Sequence, residues 1–358
     1  MFEMTSEDLA ILKSEVCKSN QLGTLTEQQL EVIYKHKLFN MFVPKDLGGL
    51  GLSLIEALEI EEQLARIDGS LGWTVTMCSG ANMFVGYLDT FMAKMIFQDK
   101  KVCFGGSAQI DGVARVSKDG YIVNGVWDYI VGLPHCTVLT LNCHIEDKGE
   151  LLYNQDGTPY FKTFFFFPKE VTVIEDWKSI GLKATASHSV KLKDFRVNAN
   201  RTFEIDSEHP VINEPTYHYP FMSFALLTLT ANHLGMQEHF MDELRKYFKG
   251  DLYNKYFEFK EEIFYTYEEK FLKRREVFYK VAKASCDEII LNGYLSAETT
   301  AEIESMCKKL VYKGRNSIMK VLPYLGMNAM NYTTEMNQIV CDILTASQFS
   351  LLLPESLE

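Results

Sequence analysis

The sequence predicts an α+β protein in three consecutive parts: helices over residues 1–101, a β region over 102–205 and a helical bundle over 206–358. Three changes of rhythm carry this reading. Apolar residues recur at helical spacing in the first hundred residues, at a period of two from about Val102, and at helical spacing again after Phe203.

In the first part, Ser53 and Glu56 make a capping box. After it, Ala57, Ile60, Leu64 and Ile67 step by three and four, which puts them on one helical face. Thr26 and Gln29 make a similar start before Leu30, Ile33 and Tyr34. Between them, "VPKDLGGLG" reads as a turn, because no strand precedes its glycines and the dinucleotide spacing is incomplete. In the second part, "VARVS", "GYIVNGVW", "TVLTLNC", "TFFFFP" and "SVKLKDFRV" are short, β-branched and aromatic, separated by Gly, Asp, Asn and Pro. Five such runs predict a compact antiparallel sheet or barrel, with residues 164–167 buried on both faces. In the third part, the segment from Tyr219 is apolar as in a buried bundle helix. A charged helix follows from Glu258 to about Leu291, a third opens at Ser296, and a fourth covers roughly 334–353.

The bulk numbers set limits. A chain of 358 residues exceeds one ordinary core, so two or three domains are expected. Its net charge of −12 argues against nucleic acid or an anionic membrane as the main partner. Eight scattered cysteines with no C-x-x-C pair fit reduced thiols, and no basic-then-apolar leader is visible, so the expected location is cytoplasmic. No histidine or cysteine pair has ligand spacing, so no metal is expected.

Particular residues go further. "FVPKDLGGLGLSLIEALEIEEQLARIDGSLGW", "GYIVNGVWDYIVGLPHCTVLTL" and "DWKSIGLKATASHSVKLKDFRV" occur in that order. Together they resemble the acyl-CoA dehydrogenase superfamily, and most of all its flavin monooxygenase branch, whose β domain carries W-x-x-x-G-x-x-x-T-x-S. Here those positions are Trp177, Gly181, Thr185 and Ser187. The resemblance implies a helical domain, a β-barrel-like domain and a four-helix bundle. It implies FAD or FMN between the last two, and a homodimer or homotetramer. Trp177 would stack near the flavin ring, Thr185 and Ser187 would hydrogen-bond to cofactor or substrate, and Tyr129 and Val131 belong to the flavin-facing stretch.

The chain departs from the pattern in three places. Val131 stands where the family carries Thr or Ser, so a donor beside the reactive flavin nitrogen is missing. In the last helix Asp342 remains, as a general base or as a helix-orienting group. Cys341 replaces the expected Arg or Glu there, and the expected His gives way around Gln348 and Phe349. After Phe248 the cofactor-phosphate Arg is absent, leaving Lys249 and Lys255. Of His135, His188, His233 and His239, His188 is the best candidate to handle a proton. The resulting expectation is a flavin-dependent oxidoreductase acting on an acyl-CoA or a small apolar or aromatic substrate, served by a flavin reductase or electron-transfer partner. The alternatives are the oxygenase subunit of a two-component monooxygenase, or a redox-inactive binding protein that keeps the fold.

Overall fold

The computed structural model describes residues 4–249 and 257–354. Helices come first: α1 (Ser6–Ser14), α2 (Val16–Leu22), α3 (Glu27–Lys35), α4 (Leu54–Ile67), α5 (Gly69–Asn82) and α6 (Thr90–Ile96). Both capping boxes form, at Thr26 with Gln29 and at Ser53 with Glu56. On α4, Ala57, Ile60 and Leu64 are buried, as their spacing requires, and Ile67 at the helix end is half-buried. Residues 44–51 form the expected turn, with Gly48 at φ 87°.

Eight strands follow: β1 (Phe104–Ser117), β2 (Gly120–Ile130), β3 (Val138–Asp147), β4 (Glu150–Leu151), β5 (Phe161–Phe166), β6 (Thr172–Ile174), β7 (His188–Asn198) and β8 (Thr202–Phe203). They make one sheet in the order β6-β7-β2-β1-β3-β5-β8, with β4 on β3. This differs from the expected antiparallel barrel in two ways. The order is open, ending on β6 and β8, and β1 pairs with β3 in parallel, Phe104 opposite Val138. The cause of the parallel pair is the route of the chain. β2 returns antiparallel along β1, so its end lies beside the start of β1. A link of a few residues then launches β3 from that same end, in the same direction as β1.

The Gly-x-Trp spacing has a steric reason. The Trp127 indole is fully buried, and a Cβ on Gly125 would lie 2.6 Å from its ring. Phe164, Phe165 and Phe166 are all buried, so β5 is covered on both faces there, whereas Phe167, expected with them, lies past the strand end and is half-buried.

The last helices are α7 (Phe221–Lys249), α8 (Phe257–Asn292), α9 (Ala297–Val321) and α10 (Glu335–Ala346). Ser296 caps α9 and Thr334 caps α10 through side-chain oxygens. α7 packs on α8, α9 and α10 and also against α4 and α5. Its apolar residues Phe224, Leu227, Ala231 and Leu234 are therefore buried within the chain. The buried Glu62 ties α4 to α8, accepting from Arg275 at 2.6 and 3.0 Å and from the Tyr279 hydroxyl at 2.5 Å. Lys255 and the side chain of Lys249 lie outside the described residues. Among those described, no helix is long and apolar enough to cross a membrane.

Candidate functional site

Where the sheet meets α5 and α7 there is a cavity of about 510 Å³. The sheet contributes Gly105, Gly106, Ser107, Thr140, Asn142 and Thr163; the helices contribute Thr76, Gly80, Phe224, Ala225 and Thr228. Gly106 has no room for a side chain, because a Cβ there would collide with Thr140. That glycine lets β1 and β3 approach at the cavity floor. Asn142 shapes the same wall. Its amide donates to the Ser107 and Ala108 carbonyls at 3.3 and 3.1 Å, and its oxygen accepts from the Thr163 hydroxyl at 2.8 Å. These bonds brace β1 where its pairing with β3 shifts register between Ser107 and Gly112.

A larger recess of about 1150 Å³ lies beside α1, α2, α7 and α10. Its Arg66, Arg245 and His239 are held in ion pairs or hydrogen bonds with Asp242, Glu268 and Glu335. A charged, wetted groove of this kind is a poorer small-molecule site than an apolar cavity with a few convergent polar groups.

Of the residues expected around a flavin, Val131 lines the seam cavity. Tyr129, two positions earlier, faces outward at 61% exposure with φ 63°, an unusual backbone for a bulky residue. Trp177 stands edge-on to Tyr129, their ring centres 6.1 Å apart. The indole N–H of Trp177 donates to the Leu182 carbonyl at 3.0 Å, and its backbone N–H donates to His188 Nδ1 at 3.1 Å. His188 thus positions the Trp177 segment, and Nδ1 is committed as an acceptor.

Thr185 and Ser187 are buried and turned toward each other. Thr185 donates to the Leu182 carbonyl at 2.8 Å, so the 2.7 Å contact between the two hydroxyls uses the Ser187 proton. The Thr185 carbonyl also accepts from the Gly132 N–H at 2.7 Å. The hydroxyl donors of this polar loop therefore bond within the loop, and its Thr185 carbonyl holds it against the 129–132 stretch. Ser187 Oγ keeps acceptor capacity.

Asp342 is away from the cavity. Its Oδ1 accepts from the Leu182 N–H at 2.5 Å, and burial, with Asp68 nearby, pushes its carboxyl well above the usual range. A buried carboxyl at the edge of the larger recess that accepts from the Leu182 N–H has the geometry of a positioning group. Cys341 is half-buried with its thiol raised by burial, as suits a small apolar residue. Phe349 lines the cavity and packs on Trp73 at 5.8 Å. The seam cavity thus receives no carboxylate from α10; the carboxylate that lines it is Glu204, held by the Tyr160 hydroxyl at 2.7 Å.

The remaining histidines are structural. His135 shares a 3.0 Å hydrogen bond with Thr24, and burial lowers it to about 4. His233 lies buried between Ser347 at 3.0 Å and Gln237 at 2.9 Å, and burial with Arg274 and Arg315 nearby lowers it to about 3. Both stay neutral in the native state, whereas in the unfolded chain they take a proton below about pH 6.5. Their stabilising contribution is therefore complete above that pH. It is lost as pH falls from about 6.5 to about 4 for His135 and to about 3 for His233. The urea midpoint is expected to fall through this window, and His233→Gln should flatten the fall. An equally steep curve for the variant would assign the acid sensitivity elsewhere.

Sequence reasoning missed the cavity wall. The available signals were the Gly105–Gly106 pair and the polar residues Thr140 and Asn142, two apart on one face of the strand between the apolar Val138, Leu139, Leu141 and Cys143. Spacing along the chain also gave no metal reading, yet the fold brings Cys78, Cys103 and Cys136 together, with all sulfurs within 4.8 Å of one another.

A flavin fits what is present. The exposed Tyr129 ring and the edge-on indole of Trp177 make an aromatic face, and Val131 connects that face to the cavity behind it.

No protein-family model matches the chain. An indole-3-acetate monooxygenase of Acinetobacter baumannii is 23% identical over 341 residues, covering 92% of this chain and 84% of that protein. The flavin-dependent monooxygenase oxygenase subunit HsaA of Mycobacterium tuberculosis is 23% identical over 227 residues, covering 61% of this chain and just over half, 56%, of that protein. Among solved structures, the HsaA monooxygenase of M. tuberculosis superposes with a TM-score of 0.88 at 16% identity, covering 98% of this chain and 92% of that one. XiaF from Streptomyces sp., in complex with FADH2 and glycerol, gives 0.87 at 17% identity over 97% of this chain and 90% of that one. TdsC from Paenibacillus sp. A11-2, with FMN and indole, gives 0.76 at 15% identity over 95% and 90%. Both relatives are named as monooxygenases, HsaA as a flavin-dependent one, and neither name states acyl-CoA dehydrogenation. By sequence and by fold alike, the chain is similar to flavin-dependent monooxygenases.

Proposed function

We propose that this chain is the oxygenase subunit of a two-component flavin monooxygenase, acting on a small, uncharged, largely apolar substrate such as an aromatic ring. The observation that carries the reading is the seam cavity, with Val131 in its wall and the Tyr129–Trp177 face just outside. A reduced FAD or FMN, delivered by a separate flavin reductase, would supply the electrons that activate dioxygen. The protein's own part is to bind, orient and keep water out. Tyr129 and Trp177 offer the aromatic wall, and the Thr185–Ser187 loop braces the 129–132 stretch through Gly132. Phe224, Ala225, Phe349 and Leu351 keep the substrate side apolar. Thr76, Ser107, Thr140 and Thr228 provide hydroxyls that could orient a polar substituent.

The absence of a substrate charge follows from the lining. Among the described residues, its ionisable side chains are Tyr160 and Glu204, hydrogen-bonded to each other at 2.7 Å with Lys162 at 3.2 Å from Glu204. A substrate carboxylate would enter without a cation to pair with, which is costly. The reading thus separates this chain's substrate from the carboxylate in the name of its indole-3-acetate relative. Eight unpaired cysteines fit a reducing compartment such as the cytoplasm. Exposed Leu272, Ile290 and Leu291 on α8 fit burial in a homodimer or homotetramer.

Reduced FAD or FMN, added without oxygen, is expected to raise the melting temperature. Trp177→Ala should weaken flavin affinity about 10-fold, the loss of roughly 1.4 kcal/mol of ring contact. If neither flavin shifts melting or quenches in fluorescence, the flavoenzyme reading fails and the chain is a redox-inactive member of this fold.

A further inference from the structure

Three cysteines far apart in sequence converge beneath the 129–132 stretch. Cys78 comes from α5, Cys103 directly precedes β1, and Cys136 follows the short 3₁₀ turn Leu133–His135. All three are buried, and each sulfur lies within 4.8 Å of the other two. We propose that Cys78, Cys103 and Cys136 form a three-thiol binding site for a trivalent thiophilic metalloid, of which inorganic arsenite is the simplest.

Preorganisation favours binding there. The Thr137 N–H donates to the Cys103 carbonyl at 2.7 Å, and the Cys103 N–H donates to the Thr137 hydroxyl at 3.0 Å. These bonds hold two of the three segments in register before any ligand arrives. Bonds of about 2.3 Å from sulfur to a pyramidal three-coordinate centre place the sulfurs about 3.4 Å apart, so thiols within 4.8 Å of one another close by at most about 1.4 Å. The sulfurs also have weak partners to exchange. Cys78 and Cys136 each lie 3.8 Å from the Val131 carbonyl, and Cys136 lies 3.3 Å from that of Gly132.

Charge selects the ligand class. Among the described residues, the hydrogen-bond partners of the three thiols are backbone carbonyls, and no lysine or arginine pairs with them. His135, next in sequence to Cys136, turns away from the cluster to the Thr24 hydroxyl at 3.0 Å. Three thiolates around a monovalent or divalent ion would leave a net negative charge in a buried, cation-free pocket, which is strongly disfavoured. Zinc would also lack its fourth ligand. A trivalent centre with three thiolates is neutral. The exchange balances without redox chemistry: As(OH)₃ and three thiols give As(SR)₃ and three waters. Each As–O bond is replaced by As–S, and each thiol proton leaves on the departing hydroxyl. Entry would be through the 3₁₀ turn, where Pro134 is exposed and His135 half-buried.

The test uses the full-length reduced protein and inorganic arsenite, with arsenic measured per chain after gel filtration. One arsenic per chain and a raised melting temperature are expected. Cys103→Ala should abolish stoichiometric retention, whereas Cys307→Ala, at a buried cysteine of α9 outside the cluster, should retain it. X-ray absorption at the arsenic edge of the wild-type protein should count three sulfur neighbours, and it decides the matter even where a variant fails to fold. Less than one arsenic on folded wild-type protein, two or fewer sulfur neighbours, or full retention by a folded Cys103→Ala would each overturn the proposal.

Discussion

Gly80→Leu is expected to lower substrate turnover by at least about 100-fold while leaving the protein folded. Gly80 lies within α5, on the wall of the seam cavity. A Cβ built there meets the Phe224 ring edge at 3.7 Å, an ordinary contact. The backbone therefore tolerates a side chain, and replacing a mid-helix glycine should itself stabilise by roughly 0.5–1 kcal/mol. The added side chain occupies space that the proposed function gives to the substrate. A substrate held even an ångström off line loses about two orders of magnitude in rate. The measurement is substrate-dependent oxygen uptake with reduced flavin supplied, set beside melting temperature and flavin affinity. Normal turnover by a folded, flavin-binding Gly80→Leu protein would remove the cavity from the reaction.

Gly181→Ala should have the opposite signature, a loss of stability of about 3 kcal/mol. Gly181 runs directly against α10: a Cβ would lie 2.5 Å from the Asp342 nitrogen and collide with the Cys341 carbonyl. The obstacles are backbone atoms inside a helix, which cannot rotate away as a side chain would. α10 or the loop must recede, and the 2.5 Å bond from the Leu182 N–H to Asp342 is the first interaction at risk. Losing it leaves a buried donor and a buried carboxyl without their partner, a further cost of about 1–3 kcal/mol if the bond breaks outright. Denaturant unfolding of Gly181→Ala beside Gly80→Ala gives the comparison. A Gly181→Ala protein within 0.5 kcal/mol of wild type would show that this contact is looser than described.

Gly181 also marks where sequence reasoning ends. Its place in the Trp177–Ser187 pattern is visible along the chain, but its reason, a backbone crossing against residues 341 and 342, is not. The same division holds elsewhere. The caps at Ser53 and Thr26, the starts of α9 and α10, the buried face of α4 and the doubly covered Phe164–Phe166 strand were legible because each depends on neighbours a few residues away. The beginning of β1 was not, because Gly105 and Gly106 have little strand propensity and are held there by pairing with β3.

By itself, then, the sequence determined the order of helices, strands and helices, most element starts, and a resemblance to flavin-dependent enzymes. Tertiary structure alone decided the parallel β1–β3 pair, the cavity behind Val131, the inward turn of Thr185 and Ser187, the enclosure of Asp342 and the meeting of three cysteines. The physical reason is range. Caps and amphipathic faces are set by contacts three or four residues apart, whereas the Asp342–Leu182 bond spans 160 residues. Nothing local in either segment encodes that partner; it exists only once both are packed against α5.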